Sequence, residues 1–225
     1  MRITRLVAGT VTAGLLGLTP IAIAAPSQAA ETWTTTTVAT PDKTKVEYGD
    51  KIYINVDVDG SDGLGPSSGT STLYAMEAGS TAWVPVATGA YPGSDFYPVK
   101  PMMNTTYKVV FGGYTDPDQG QYDDNYLPSE SAPFTVSVAR KITYPSSGFV
   151  LKGKVSPKYA KKKIVIKASR KQNKGYKAFK TIKTTSAGKY KITLPRRGGT
   201  WYWSFAVKGD AKFLATGFVW ETTVY

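Results

Sequence analysis

The chain has 225 residues, with 28 Lys and Arg against 16 Asp and Glu, a formal net charge of +12, and neither His nor Cys. The missing Cys excludes disulfide frameworks, cysteine nucleophiles, Fe–S clusters and zinc-thiolate sites. The missing His excludes Ser-His-Asp and Cys-His pairs and the usual ligands of zinc, copper and non-haem iron, leaving carboxylates, Lys, Tyr and an unassisted Ser for any chemistry.

The first element in chain order is a leader. Arg2 and Arg5 precede an apolar run from Leu6 to Leu18, Pro20 breaks the run, and small residues follow to Ala30. A charged start, an apolar stretch of about a dozen residues and a small-residue exit predict a cleaved secretory signal peptide over 1–29. Cleavage fits the small-x-small rule after Ala29 and also after Ala24. The run is shorter than the roughly 20 residues that span a bilayer. There is no lipoprotein cysteine and no twin-arginine pair. The mature chain is therefore expected to be secreted and extracellular, without an integral membrane segment.

Beyond the leader the apolar pattern has period two. Ile52, Ile54, Val56 and Val58 alternate with Tyr53, Asn55 and Asp57, and Tyr107/Val109/Phe111 and Phe134/Val136/Val138 form further faces. The later sets are Phe149/Leu151/Val155, Ile164/Ile166/Ala168, Tyr190/Ile192/Leu194 and Trp201/Trp203/Phe205/Val207. Such runs, bounded by Gly, Pro, Ser and Asn, predict half-buried strands. No stretch sustains the helical i, i+3, i+4, i+7 spacing. The expected fold is all-β, two tandem antiparallel β-sandwiches. Trp83, Tyr107, Phe111, Phe179, Trp201, Trp203 and Phe205 are the expected core anchors, each able to bury roughly 150–250 Å².

Charge divides the mature chain after Ala139. Residues 31–139 hold 14 acidic residues and 5 lysines, a net of −9, whereas residues 140–225 hold 21 basic residues and only Asp210 and Glu221, a net of +19. This predicts an acidic domain over 30–139 and a basic one over 140–225, with Ala139 to Pro145 as a short linker. The halves also repeat each other. Tyr48 aligns with Tyr144, Trp83-Val84-Pro85-Val86 with Phe179-Lys180-Thr181-Ile182, and Tyr107-x-Val109-x-Phe111-x-Gly113 with Trp203-x-Phe205-x-Val207-x-Gly209. Matched positions in one order predict one fold used twice.

Tyr48-Gly49-Asp50, Ser71 to Ala75, Ala82 to Ala87, Asn104-Thr105-Thr106-Tyr107 and Ser129-Glu130-Ser131 resemble elements of the tandem bacterial immunoglobulin-like repeats of secreted actinomycete proteins. The resemblance covers nearly all of residues 38–225 and implies immunoglobulin-like sandwiches. Those repeats share no catalytic residues, so it implies binding, adhesion or spacing, and no enzyme. The strongly basic second half departs from their near-neutral surface and argues against a passive spacer.

Four features are candidates for function. Foremost are Lys161, Lys162, Lys163, Lys167, Arg170, Lys171, Lys174, Lys189, Lys191, Arg196 and Arg197, for which two acidic residues offer too few local partners. Their repulsion would be relieved by a polyanion. The expected partner is an anionic cell-wall polymer, such as a teichoic acid, or an acidic polysaccharide. Nucleic acid fits less well, because no recognition motif is present. Second, the segment 114–126 combines Tyr and Asp and offers an alternative as a glycan-binding, calcium-holding or self-assembling module. Third, Asp57 to Gly63 resembles the start of an EF-hand loop, but Asp62 stands where Gly is required and Ser68 where the bidentate Glu belongs. Fourth, Ser186-x-x-Lys189 matches an acyl-transfer motif that requires a helix, whereas here it spans a turn. No cofactor or metal is expected.

Overall fold

The computed structural model describes residues 30–117 and 124–225. The leader over 1–29 and the middle of the 114–126 segment, including Tyr122, lie outside the described residues. Among the described residues all regular structure is β, and no helix is long and apolar enough to cross a membrane.

The first group of strands is β1 (Thr32–Trp33), β2 (Thr35–Pro41), β3 (Lys45–Glu47), β4 (Ile52–Gly60), β5 (Ser71–Glu77), β6 (Val84–Thr88), β7 (Phe96–Val99), β8 (Thr105–Phe111), β9 (Asn125–Tyr126), β10 (Ser129–Glu130) and β11 (Phe134–Ala139). The second is β12 (Lys141–Ile142), β13 (Val150–Ser156), β14 (Lys163–Ser169), β15 (Lys177–Lys183), β16 (Lys189–Thr193), β17 (Gly199–Val207) and β18 (Thr216–Val224). In the first sandwich a sheet β2-β4-β7 faces a sheet β3-β11-β8-β5-β6, with β10 also on β8. In the second, β12-β13-β16 faces β15-β14-β17-β18. Apart from β3, which lies parallel on β11 and has no counterpart in the second sandwich, consecutive strands switch sheets in the same order in both. That is an immunoglobulin-like arrangement, with the central strands of opposite sheets enclosing the core.

Alternation drives this directly. β4 buries every second residue from Ile52 to Gly60, and β8 does the same from Thr105 to Phe111. The first core holds Ile52, Ile54, Leu73, Val109, Phe111 and Val136, and the second holds Leu151, Ile164, Ile166, Leu194, Trp203 and Phe205. Packing is supplemented by indole hydrogen bonds, from Trp203 Nε1 to Thr222 Oγ1 at 2.9 Å and from Trp220 Nε1 to the Gly148 carbonyl at 3.0 Å. Each lets a large amphipathic ring be buried without stranding its N–H.

Two sequence expectations change. Trp83 is not a core anchor: it precedes edge strand β6, half-buried, with the Lys108 ammonium 5.1 Å from its ring centroid. Phe179 and Trp201 pack against the second core but remain half-buried. The expected linker is also much shorter than seven residues. β11 ends at Ala139 and β12 begins at Lys141, so Arg140 alone separates them.

That junction is packed. Phe213, from the turn after β17, is buried in the first core, and the Arg140 guanidinium lies 4.2 Å from its ring centroid and 5.1 Å from that of Tyr159. Arg140 Nη2 donates to Asp210 Oδ2 at 2.6 Å and Nε to the Pro157 carbonyl at 3.2 Å. The Leu214 N–H donates to the Val138 carbonyl, and Asn104 bonds both Lys212 and Ala211 carbonyls. Partial desolvation acts to raise the Asp210 carboxyl, but Arg140 and the N–H groups of Lys212 and Phe213 outweigh it and hold the carboxyl below its ordinary 3.8.

Candidate anion-binding site

Strand register decides how the basic side chains of the second sandwich meet. β13 pairs with β16 so that Lys152 faces Lys191 and Lys154 faces Lys189. All four are exposed, while Tyr190 between them and Leu151, Val155 and Ile192 flanking them point into the core. The result is a two-by-two grid of ammonium groups, with β-carbons about 5 Å apart across the strands and roughly 7 Å apart along them. Burial lifts the Tyr190 phenol beneath this grid to about 12, and its hydroxyl donates to the Thr143 carbonyl at 2.9 Å. On the opposite sheet Lys163 faces Lys183 across β14 and β15, with Lys167 on the same outer face. Like charges placed directly opposite destabilise a sheet. The second sandwich nevertheless repeats the arrangement on both faces.

Carboxylates do not relieve it. Among the described residues the basic side chains of 140–225 that form ion pairs are Arg140, with Asp210, and Lys141, with Glu47 at 3.5 Å. Both belong to the junction.

The third cluster sits at the tip distant from the first sandwich. β14 runs out at Ser169, β17 begins at Gly199, and the Asp210–Phe213 turn that touches the first sandwich follows the opposite end of β17. The turn after β14 is tied by one hydroxyl: Ser169 Oγ accepts from the Lys171 N–H at 2.9 Å and donates to the Lys174 carbonyl at 2.6 Å. This brings Lys171 opposite Lys174 as a further like-charge pair. Around it lies an open cavity of about 400 Å³, lined by Arg170, Lys171, Lys174, Lys177 and Arg197 over Phe179 and Trp201. Arg170 and Arg197 each place their guanidinium carbon 4.4 Å from the Trp201 ring centroid. Arg197 also lies over Phe179 at 5.5 Å and Trp203 at 5.3 Å.

The eleven sequence candidates therefore separate. Arg170, Lys171, Lys174 and Arg197 converge at the tip. Arg196 lies beside them, 5.3 Å over the Phe149 ring. Lys189 and Lys191 belong to the grid, and Lys163 and Lys167 to the opposite sheet. Lys161 and Lys162 are in the turn leading into β14, where Lys161 adopts φ 54° and the Lys162 N–H donates to Thr184 Oγ1. Sequence reasoning missed Lys152, Lys154, Lys177 and Lys183. The first two carry a legible signal, flanking Gly153 at period two, but Lys183 is assigned only by knowing which strand it faces.

The 114–126 segment is tied at its base. Tyr114 and Tyr126 exchange backbone hydrogen bonds at 2.9 and 2.8 Å, β9 pairs with β1, and Tyr126 packs on the first core. Its hydroxyl donates to Asp62 Oδ2 at 3.0 Å, and desolvation, reinforced by Asp62, raises it to about 12. Asp62 also accepts from the Leu64 N–H at 3.1 Å, so this carboxylate of the EF-hand-like stretch closes a turn. Among the described residues no three Asp or Glu converge as metal ligands.

No family model matches the chain, and no curated protein matches it in sequence. Solved structures it is similar to include the human OSCAR ligand-binding domain, at 12% identity with a TM-score of 0.26, covering 85% of this chain and 98% of that one. The chicken CNTN1 FN1–FN3 domains align at 12% identity with a TM-score of 0.30, over 84% of this chain and 65% of theirs. A marsupial T cell receptor aligns at 11% identity with a TM-score of 0.31, over 82% of this chain and 95% of that one. The immunoglobulin-like description rests on this chain's own strand order and register.

Proposed function

We propose that this is a secreted, non-enzymatic binding protein whose basic second sandwich attaches it to an anionic polymer of the cell wall or its surroundings. One observation carries the reading: lysines face lysines across neighbouring strands on both sheets, and among the described residues no carboxylate forms an ion pair with them. Such pairs cost stability in the free protein. A linear polyanion laid along a sheet neutralises a row of them and releases its own counterions. The acidic first sandwich, at −9, is repelled by the same polymer and is held outward. The leader supports secretion, and the absence of His and Cys leaves little for catalysis.

The test is co-sedimentation of the intact protein with purified Gram-positive walls, with and without their anionic polymers, at low and high salt. Because Phe213 and Arg140 tie the two halves together, charge variants of the whole chain are better probes than isolated halves. Neutralising about six charges predicts a loss of about a thousandfold in affinity between roughly 50 and 200 mM salt. Binding that ignores salt and the polymers would refute the reading and return attention to the Tyr/Asp-rich segment. Salt-sensitive light scattering without polymer would instead point to self-association, with the acidic sandwich of one copy on the basic sandwich of another.

A further inference from the structure

We propose that the cavity at the tip of the second sandwich is a phosphate-recognition pocket, with Arg170 and Arg197 as its two forks and Lys171, Lys174 and Lys177 as its rim. The inference rests on the polyanion reading and adds a chemical preference to it. The grid and the β14–β15 face are rows of flexible ammonium groups, which respond to charge density and little else. The tip is built differently.

Its two guanidiniums lie over one indole, at 4.4 Å each, so aromatic surface limits where their planes lie. A guanidinium stacked by its face keeps its N–H edge for a partner. Arg170 spends one edge, Nη1, on the Gly198 carbonyl at 2.7 Å, which pins it further. Among the described residues no protein acceptor takes a hydrogen bond from Arg197. An aromatic floor, two forks and three ammonium groups thus surround a cavity of about 400 Å³ with no acidic residue in its wall among the described residues. That volume falls in the range of small-ligand sites, about 300–1,000 Å³.

The chemistry that matches is a multi-oxygen anion of more than one charge. A terminal phosphate presents three acceptor oxygens and a charge of about −1.5 to −2, enough to engage both forks and leave an oxygen for the rim. A sugar carboxylate has two oxygens and one charge, and satisfies a single fork. The same phosphoryl chemistry is available from the terminal monoester phosphate of a polyol-phosphate chain or from free phosphate, whereas an internal phosphodiester has two free oxygens and one charge; the volume leaves room for the group to which a terminal phosphate is attached.

Gly199 gives a way to disturb the site without changing its charge. It sits at φ +75°, and a Cβ there would lie 2.7 Å from Arg170 Nη1, driving the guanidinium off its seat.

The experiment is a fluorescence titration of the intact protein, reading tryptophan emission, at about 50 mM salt. The probes are a glycerol-phosphate oligomer ending in a phosphate monoester, an oligogalacturonate of equal length and inorganic phosphate. The expected result is that the phosphate oligomer binds about tenfold tighter than the carboxylate oligomer. Arg197→Lys and Gly199→Ala should abolish that preference. Replacing Lys152, Lys154, Lys189 and Lys191 with Gln should weaken both oligomers while keeping the preference. Saturable inorganic phosphate binding would assign recognition to the phosphoryl group itself, and binding of the oligomer alone would assign it to the terminal phosphate together with the glycerol it is attached to; either agrees with the pocket. Equal affinity for the two oligomers, or a preference that survives Arg197→Lys, overturns the pocket and leaves charge-driven attachment standing. No binding of any probe overturns both. If Arg197→Lys does not fold, as read by near-UV circular dichroism, Arg170→Lys, which keeps the charge and removes the other fork at an exposed position, takes its place with the same expected loss of preference.

Discussion

The two sandwiches share a strand order and differ in nearly everything their outer faces carry. On β4 the outward residues are Tyr53, Asn55, Asp57 and Asp59, whereas on its counterpart β13 they include Lys152 and Lys154. Inward, the central strands pair alike: Leu73 faces Val109 and Ala75 faces Tyr107 in the first, and Ile166 faces Phe205 and Ala168 faces Trp203 in the second. The first sandwich sets a lysine beside a carboxylate, as Lys108 lies 2.6 Å from Glu130. The second sets lysine against lysine. The inward half of a period-two pattern fixes an immunoglobulin-like sandwich, and the outward half is free to become acidic or basic at a modest cost in repulsion.

Changes to the outer face should alter binding far more than folding. Replacing Lys152, Lys154, Lys189 and Lys191 together with Gln is expected to reduce wall-polymer affinity by about a hundredfold at low salt, measured by co-sedimentation. Thermal stability should not fall, and a rise is the expected sign. The equivalent change in the first sandwich, Asp57→Asn with Asp59→Asn, should leave binding unchanged or slightly stronger.

The junction tests how far the two units are independent. Asp210→Ala strips the carboxylate from Arg140; the Arg140 side chain is only 5% exposed but that of Asp210 is 51% exposed, so solvent screens the pair and unfolding free energy should fall by about 1 kcal/mol in denaturant titrations. The same pair gives a pH dependence. The folded Asp210 carboxyl is held below its ordinary 3.8, so its contribution is present above that value and lost as pH falls through the depressed one. An acid unfolding scan should show this loss in the natural protein and lack it in Asp210→Asn.

At the alkaline end the two sandwiches should behave alike. Burial raises Tyr107 in the first and Tyr190 in the second to about 12 each. A raised folded value means the neutral phenol is favoured by folding. Stability from both residues is complete below pH 10 and declines as pH rises from 10 toward 12. Tyrosine absorbance at rising pH should show both groups titrating late. The smallest expected effect is Lys163→Thr on β14, which removes one like-charge pair and should raise stability by about 0.5 kcal/mol.

Much of the fold was legible in the alternation. Ile52, Ile54, Val56 and Val58 are buried as their spacing requires, and so are Ile164, Ile166, Tyr190, Ile192, Leu194, Trp203 and Phe205. The last strand escaped notice because Phe218-Val219-Trp220 is a continuous apolar run that hides the period-two burial of Trp220 and Thr222. Trp83 was misassigned because an aromatic residue before an alternating run looks the same on an edge strand as on a central one. The candidate site was legible as a composition, and its parts were not. Lys191 carries no mark of facing Lys152, since partner strands lie far apart in sequence and register is a property of the pairing.

By itself the sequence determined the fold class and the sign of each sandwich, because alternation and net charge are sums over local residues. Tertiary structure alone decided that Arg140 is buried at a packed junction, that lysines confront lysines across both sheets, and that Arg170 and Arg197 share one indole. Each of these depends on which distant strands become neighbours. That choice is made by core packing over the whole chain, where no local window of residues records it.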